Sequence, residues 1–363
     1  VSDPKKVVVG MSGGVDSSVA ALLLKQQGYL VVGVMLKLWA EEGFSRENQC
    51  CSLESVEQAR RIASLIGIPF YLLDAVDPFY NIVVNSFIES YFNGETPNPC
   101  ALCNPLIRWH YLTNYADAIG AQYIATGHYA RTEISTNGDA RLFRGYDPHK
   151  DQSYIISRLP QHFLRRSVFP LAEMLKTDVR EISRSHHLPV TEKPDSQDIC
   201  FIGDGDYRAF LKRVRPDAIQ PGIIHDLTGK VRGTHQGLPY YTVGQRKGIM
   251  IAAENPLYVV KKDLEANEII VGSKADFLVN EVIASDVNWI RPIKEVQEIQ
   301  LLAQFRYKSK PAAVQIEQIA DDQIRIRLTA DHDSIAIGQI AVIYSPDDEV
   351  IASGKIVKTD RYT

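Results

Sequence analysis

The sequence predicts an α/β N-terminal domain on a parallel sheet, a small central domain and a C-terminal β-barrel, and three observations predict it. First, Val7-Val8-Val9 is a short β-branched run that reads as a buried strand. Gly10-Met11-Ser12-Gly13-Gly14-Val15-Asp16-Ser17-Ser18 follows, then Val19, Ala20, Leu22, Leu23 and Leu24 at helical spacing, Gly28 at the expected helix end, and a second apolar run from Leu30 to Leu36. Strand, glycine turn, helix and strand make a βαβ unit with a right-handed crossover. Second, from about Phe201 the pattern gives way to short segments rich in Gly and Pro. Third, beyond Asn280 strands succeed one another without helices, as in a small barrel. These changes divide the chain at 1–200, 201–280 and 281–363.

The glycine turn carries chemistry. Gly13 and Gly14 lack a Cβ, so the backbone there can take positive φ and approach a ligand closely. The N–H groups of Gly14 to Ser17 open the helix at the positive end of its dipole, an arrangement that receives phosphate. Ser12 and Ser17 add hydroxyl donors, while Asp16 repels phosphate unless a metal ion intervenes, which implies Mg²⁺. A Gly-Gly pair alone reads as a tight βα turn; Ser-Gly-Gly-Val-Asp-Ser between a strand and a helix is far more specific. The loop has neither the Gly-Lys-Ser/Thr of a Walker loop nor a dinucleotide fingerprint. It is similar to the pyrophosphatase loop of enzymes that cleave ATP to AMP and pyrophosphate.

At 363 residues, with 45% hydrophobic and 23% charged residues, the chain has the composition of a globular protein with more than one core. No apolar run approaches the roughly 20 residues that span a bilayer. Val1 to Lys6 lacks a signal-peptide pattern, so a cytoplasmic protein without membrane partners is expected. The net charge of −4 does not advertise a nucleic-acid binder, although local basic strips can serve as one. Five cysteines at 50, 51, 100, 103 and 200 in a reducing compartment argue for reactive thiols or a metal site.

After Leu38 a polar segment, Glu41 to Cys51, ends in adjacent Cys50 and Cys51, which read as packing residues. Ser52 caps a helix to about Ile66, closed by Gly67. Pro69 to Leu73 is a third strand, and Phe79 to Phe92 a helix ending at Asn93-Gly94. Three prolines and two asparagines in Thr96 to Pro105 predict a shaped loop, presenting Cys100 and Cys103, with no regular structure before about Leu106. A helix to Ile119 leads to a fourth strand, Tyr123 to Thr126, and then to Gly127-His128 at a strand's carboxyl end, where ligands gather in open parallel sheets. Asn137-Gly138 marks a hairpin within Tyr129 to Tyr146. Lys150-Asp151-Gln152-Ser153 is a polar loop entering a short helix, Thr177 to about His187 a capped helix, and Asp195 to Asp198 a polar turn before the apolar patch at Cys200. Barrel strands are expected at Gln300–Tyr307, Ala313–Ile319, Gln323–Leu328, Ile340–Tyr344 and Val350–Val357. In the first of them Gln304, Arg306, Lys308 and Lys310 would share a basic face, which equally suits a solvated edge.

Ser12-Gly13-Gly14-Val15-Asp16-Ser17, Asn98-Pro99-x-x-x-Cys103-Asn104, Ala125-Thr126-Gly127-His128-Tyr129, Lys150-Asp151-Gln152, Cys200-Phe201-Ile202-Gly203 and Gly244-Gln245-Arg246-Lys247-Gly248, in this order and spacing, closely resemble the tRNA-specific 2-thiouridylase MnmA family of the PP-loop ATP pyrophosphatases. The resemblance covers nearly the whole chain. It implies a Rossmann-like N-terminal domain of the adenine nucleotide alpha hydrolase type that binds ATP and Mg²⁺. It also implies 2-thiolation of the wobble uridine, position 34, in the tRNAs for Lys, Glu and Gln. Gly10, Met11, Ser12, Gly13, Gly14, Val15, Asp16, Ser17, Leu36 and Gly127 match its ATP-binding positions. Cys103 matches its nucleophile and Cys200 its carrier of a persulfide, received from a sulfur-relay protein or cysteine desulfurase. Asn98, Pro99 and Cys100 match contacts to the target base; His128, Lys150, Asp151, Gln152, Arg306, Tyr307 and Gln339 match positions that hold or orient tRNA.

One position departs from the family's pattern. Residue 100 is Cys where Asp is common, and a thiol with an ordinary pKa of about 8.5 is a poorer base at neutral pH. Cys100-x-x-Cys103 together with Cys200 offers three thiolates, the number that can hold a [4Fe-4S] cluster with one iron open. Persulfide chemistry ranks first on these residues, cluster chemistry second and structural zinc third, because structural zinc takes four protein ligands. Two other classes stay open: an AMP-forming enzyme with a small-molecule substrate, and a non-catalytic RNA-binding module.

Overall fold

In this computed structural model the described residues are 4–41, 53–194, 199–292, 294, 300–333 and 335–360. The expectations for Cys50, Cys51, the Ser52 cap and the Asp195 to Asp198 turn lie outside them. The chain divides into two compact units, one of residues 1–84, 99–205 and 348–350, the other of 85–98, 206–347 and 351–363.

The first unit is built on a five-stranded parallel sheet in the order β3-β2-β1-β4-β7: β1 (Lys6–Gly10), β2 (Leu30–Lys37), β3 (Phe70–Asp74), β4 (Tyr123–Thr126) and β7 (Ser167–Val168). Val7, Val8 and Val9 are fully buried in the central strand, as a continuous apolar run requires in a sheet covered on both faces. Helix α1 (Val15–Gln26) follows β1, and α2 (Leu53–Ile66) joins β2 to β3. Chain order runs from β1 to β2 on one side and to β4 on the other, so the strand order reverses beside β1. A crevice at the carboxyl ends of strands opens at such a point. Register places Gly10 opposite Thr126, which brings the carboxyl ends of β1 and β4 level, while β2, with Val34 opposite Gly10, runs on to Lys37.

The hairpin of β5 (Ala130–Ile134) and β6 (Ala140–Arg144) turns at Gly138, whose φ is +84°. Glu349 and Val350 pair with Phe143 and Leu142 of β6, and the buried Glu349 carboxylate accepts two hydrogen bonds from Arg141, at 2.8 and 2.6 Å.

Several expectations change here. The loop foreseen at Thr96 to Pro105 is helical from Pro99. Pro99–Cys103 is a helix that runs on through a π-helical segment, Asn104–Trp109, into the helix His110–Ala118. Proline in a first turn loses no bond, since its N–H would have no partner there, so Pro99 starts the helix instead of preventing it. The single helix foreseen over Phe79 to Phe92 is three pieces, with a π segment at Tyr80–Val84. The helix Lys176–Ser185 has no side-chain cap of its own. Its Lys176 N–H donates to Asp147 Oδ2 at 3.0 Å, a cap from 29 residues away.

In the second unit, β8 (Gly222–Asp226), β9 (Val231–His235), β10 (Tyr258–Asp263) and β11 (Glu268–Gly272) form a sheet in the order β10-β11-β8-β9. The barrel is β12 (Val279–Trp289), β13 (Leu301–Gln304), β14 (Ala312–Ala320), β15 (Gln323–His332), β16 (Ile340–Tyr344) and β17 (Glu349–Asp360), closed by pairing of β12 with β17. Its interior holds Val282, Ala284, Leu301, Ile324, Ile326, Ile343 and Ile356. The basic face foreseen over Gln304 to Lys310 is not a strand face. β13 ends at Gln304, which is buried, and the chain turns at Lys308, φ +63°, with Ser309 N–H and Oγ both donating to Arg306 O. The two-residue alternation therefore stops at residue 304.

Candidate functional site

The site is the loop from Gly10 to Ser17 at the carboxyl end of β1. Met11 N–H donates to Val34 O at 2.7 Å, holding the loop to β2 as it leaves the sheet. Gly13 takes φ +69°, and a Cβ there would lie 2.7 Å from Ser55 O on α2. Gly14 is the N-cap of α1, with extended backbone and no side-chain cap, so the first N–H groups of α1 are not covered by a capping side chain. Ser17 Oγ accepts from Ser12 N–H at 3.1 Å and donates to Gly14 O at 3.2 Å, which rounds the loop on itself. Gly127, just past β4, closes the other wall. A Cβ on it would sit 2.6 Å from both the Asp16 carbonyl carbon and Ser17 N. Gly127 is thus glycine because the backbones meet there. Leu36 lies on β2 opposite Leu73.

Two residues that sequence reasoning missed hold Asp16. Lys176 Nζ is 2.6 Å from Oδ1 and 2.8 Å from Oδ2, and Tyr129 Oη donates to Oδ1 at 2.8 Å. The lysine is buried and lies 160 residues from its partner, so no local pattern reveals it. Tyr129 does stand in the Ala125 to Tyr129 run. An ammonium thus already balances the Asp16 carboxylate, which on its own calls for no metal ion. Lys193 Nζ, 3.4 Å from Gly13 O, adds a second cation beside the loop.

The cysteines occupy different settings. Cys100 is exposed and Cys103 buried, both as free thiols on the helix Pro99–Cys103. The Pro99–Cys103 helix packs on the Tyr80–Val84 segment and on the helix Ser153–Ile156, and Asn104 Nδ2 donates to Ile155 O at 3.2 Å. Cys200 is a half-buried thiol followed by buried Phe201 and Ile202. The Phe201 ring packs at 5.8 Å from Phe79 and 6.5 Å from Trp39, and Trp39 at 5.1 Å from Tyr80. Both cysteine-bearing segments therefore rest on Phe79–Val84. Among the described residues no three His, Cys, Asp or Glu side chains are gathered as metal ligands. Cys100, Cys103 and Cys200 do not form a cluster-binding set in this arrangement.

His128 Nδ1 lies 2.8 Å from Thr126 Oγ1, and its ring packs against Trp109. Burial first, then the charge of Arg108, pushes its pKa down to about 3, so the ring is neutral near pH 7. Lys150 is partly exposed on the loop after Asp147. Asp151 accepts from Gly145, Ser153 and Arg144, and Gln152 is bonded to the Tyr129 backbone. In the second unit Gln339 Nε2 donates to Thr96 O and Pro97 O, at 2.9 and 3.3 Å, and so holds the chain just before Asn98. Arg306 is exposed, and Tyr307 is half-buried with Lys308 Nζ 5.5 Å from its ring centre.

A glycine loop opening a helix at the switch point of a parallel sheet, in a chain that also carries a closed β-barrel, defines a multidomain α/β protein of the nucleotide-binding kind. Residues 5–204 match the family model described as tRNA methyl transferase HUP domain, 208–273 the tRNA methyl transferase PRC-barrel domain, and 279–356 the aminomethyltransferase beta-barrel domain. The chain is 44% identical over 360 residues to tRNA-specific 2-thiouridylase MnmA of Carboxydothermus hydrogenoformans, covering 98% of each. It is 42% identical to the protein of that name from Natranaerobius thermophilus, over 97% of each chain. The Clostridium acetobutylicum protein of that name is 41% identical over 98% of this chain and 99% of its own. Among solved structures, a 4-thiouridine synthetase–RNA complex overlaps 59% of this chain at 16% identity and TM-score 0.36, too faint a likeness to add to this. The chain belongs to the tRNA-specific 2-thiouridylase MnmA family, a family of tRNA-uridine 2-sulfurtransferases that use ATP. No helix among the described residues is long and apolar enough to cross a membrane.

Proposed function

We propose that this enzyme converts the wobble uridine of the tRNAs for Lys, Glu and Gln to 2-thiouridine through an adenylated base and a cysteine persulfide. The division into domains 1–200, 201–280 and 281–363 and a cytoplasmic setting belong to the same reading. ATP sits on Gly10 to Ser17 with Leu36 and Gly127 beside it, and Mg²⁺ arrives with its phosphates; Lys176 neutralises Asp16 beside them, and Lys193 adds positive charge. Uridine O2 attacks the α-phosphorus, the bond to the bridging oxygen breaks, and pyrophosphate leaves. The adenylated C2 now carries a good leaving group. Cys200 receives a sulfane sulfur from a persulfide donor, either a sulfur-relay protein or a cysteine desulfurase. The Cys103 thiolate attacks the Cys200 sulfur of that persulfide, which forms a Cys103–Cys200 disulfide and frees hydrosulfide. Hydrosulfide adds at C2, AMP departs, and an external dithiol reduces the disulfide.

Asn98, Pro99 and Cys100 face the base in this reading, with His128, Lys150, Arg306 and Tyr307 toward the RNA. Neutral His128 serves there by hydrogen bonding rather than by charge. Asp151, Gln152 and Gln339 act indirectly, by shaping the backbone. The observation that carries the proposal is the packing of the Cys103 helix and the Cys200 segment on one stretch, Phe79–Val84, in the unit that also holds the ATP loop.

The test uses the purified protein with tRNA, Mg-ATP and a persulfide donor, scored by nucleoside mass spectrometry. Thiolation is expected under aerobic and anaerobic conditions alike, without iron in the protein. Cys103→Ala and Cys200→Ala each lose at least about 10²-fold in 2-thiouridine while tRNA-dependent pyrophosphate release persists. Thiolation unaffected by either substitution would exclude the persulfide route, and activity that follows bound iron would replace it with cluster chemistry.

A further inference from the structure

The two groups that hold Asp16 are themselves fixed by one loop, residues 147–152. Gln152 brackets the Tyr129 backbone from both sides. Its N–H donates to Tyr129 O at 2.8 Å, and its Oε1 accepts Tyr129 N–H at 3.1 Å. Asp147 fixes Lys176, its Oδ2 accepting the lysine's backbone N–H at 3.0 Å. The loop is closed on Asp147, whose carbonyl accepts the N–H groups of Lys150 and Asp151 at 3.0 and 2.8 Å and whose Oδ1 accepts that of His149 at 2.9 Å. Asp151 ties the same loop to Gly145, Ser153 and Arg144.

Lys150 therefore rides on a hydrogen-bonded turn, and a displacement of that turn acts on both Tyr129 and Lys176. We propose that the 147–152 loop is a positioning device that couples RNA engaged at Lys150 to nucleotide at Asp16, with Gln152 and Asp147 as positioning residues. The proposal rests on the reading that Lys150 meets tRNA and that Gly10 to Ser17 holds ATP. It assigns the side chains of Asp147 and Gln152 to the protein's interior wiring and not to RNA contact. Coupling between two ligands is reciprocal and is measured as the ratio of affinities for one with and without the other.

The experiment titrates the full-length protein with a non-hydrolysable ATP analogue and Mg²⁺, with and without saturating tRNA. The wild type is expected to bind the analogue at least about fivefold more tightly when tRNA is present. Tyr129→Phe keeps the ring and loses the hydroxyl's bond to Asp16, and Gln152→Ala loses the Oε1 bond to Tyr129 N–H. In both, the ratio falls below about twofold. Gln152→Glu keeps an acceptor for Tyr129 N–H, so it restores the ratio even where its charge weakens tRNA binding, which a direct RNA contact would not do. An undiminished ratio in Tyr129→Phe overturns the proposal, and this variant alone decides if Gln152→Ala does not fold. A wild type that binds both ligands without any ratio also overturns it. A wild type that fails to bind tRNA or the analogue sinks the functional reading, and the proposal with it.

Discussion

Asp16 shows what a single residue gains from the fold. Read in sequence, its carboxylate beside a phosphate loop calls for a metal ion; in the folded chain Lys176 and Tyr129 already satisfy it. Lys176→Met removes the ammonium and leaves the carboxylate with Tyr129 alone, beside whatever phosphate the loop binds. The expected loss is about 10²-fold in kcat/KM for ATP, the usual scale for removing one preorganised electrostatic group, as measured by pyrophosphate release. His128 makes a second residue-level prediction. Its folded pKa of about 3 lies below the ordinary 6.5, so the unfolded chain binds the extra proton between those values. Stability from this group is present above pH 6.5 and is lost as pH falls toward 3, with a slope of at most about 1.4 kcal/mol per pH unit. Denaturant unfolding across that range should show this slope in the wild type, and His128→Asn should flatten it.

At the scale of elements, Gly127 joins β4 to the glycine loop Gly10–Ser17, the proposed ATP site. Gly127→Ala puts a methyl 2.6 Å from backbone atoms of Asp16 and Ser17, neither of which can rotate away. About 1–3 kcal/mol of stability should go with it, together with at least about tenfold in ATP affinity, read by thermal melting and nucleotide titration. Unchanged ATP affinity in a folded variant would detach Gly127 from the site. The elements legible in the sequence are those whose signal is local. Val7 to Val9 and Leu30 to Leu36 are strands because β-branched and apolar runs pack well in a buried sheet, Tyr123 to Thr126 has the foreseen bounds, and Asn137-Gly138 turns its hairpin. The misread ones depend on position or partner. Pro99 breaks a helix in the interior yet begins one at the first turn. Lys308 adopts a left-handed conformation that charge patterning does not announce. The cap on the Lys176–Ser185 helix comes from Asp147, and the grip on Asp16 from Lys176, over 29 and 160 residues of chain.

For the molecule as a whole, the net charge of −4 gives no general attraction to RNA, so tRNA binding has to rest on a few local cations. Each phosphate that a cation neutralises releases counterions, and binding weakens steeply with salt in proportion to the number of such contacts. Exposed Arg306, two residues before Lys308 in the turn after β13, is the guanidinium proposed above for this use. Arg325 is not: its guanidinium already pairs with Glu317 at 2.8 Å and approaches Glu281 at 3.7 Å. The slope of log K against log salt for tRNA should therefore fall by about one unit in Arg306→Gln and stay unchanged in Arg325→Gln. If Arg306 reads a base instead of a phosphate, its substitution would weaken binding with the wild-type slope retained and to differing degrees among tRNAs. Equal weakening across tRNAs with the smaller slope identifies a phosphate contact, and it would show that an acidic chain can hold RNA through charge concentrated at a single barrel turn.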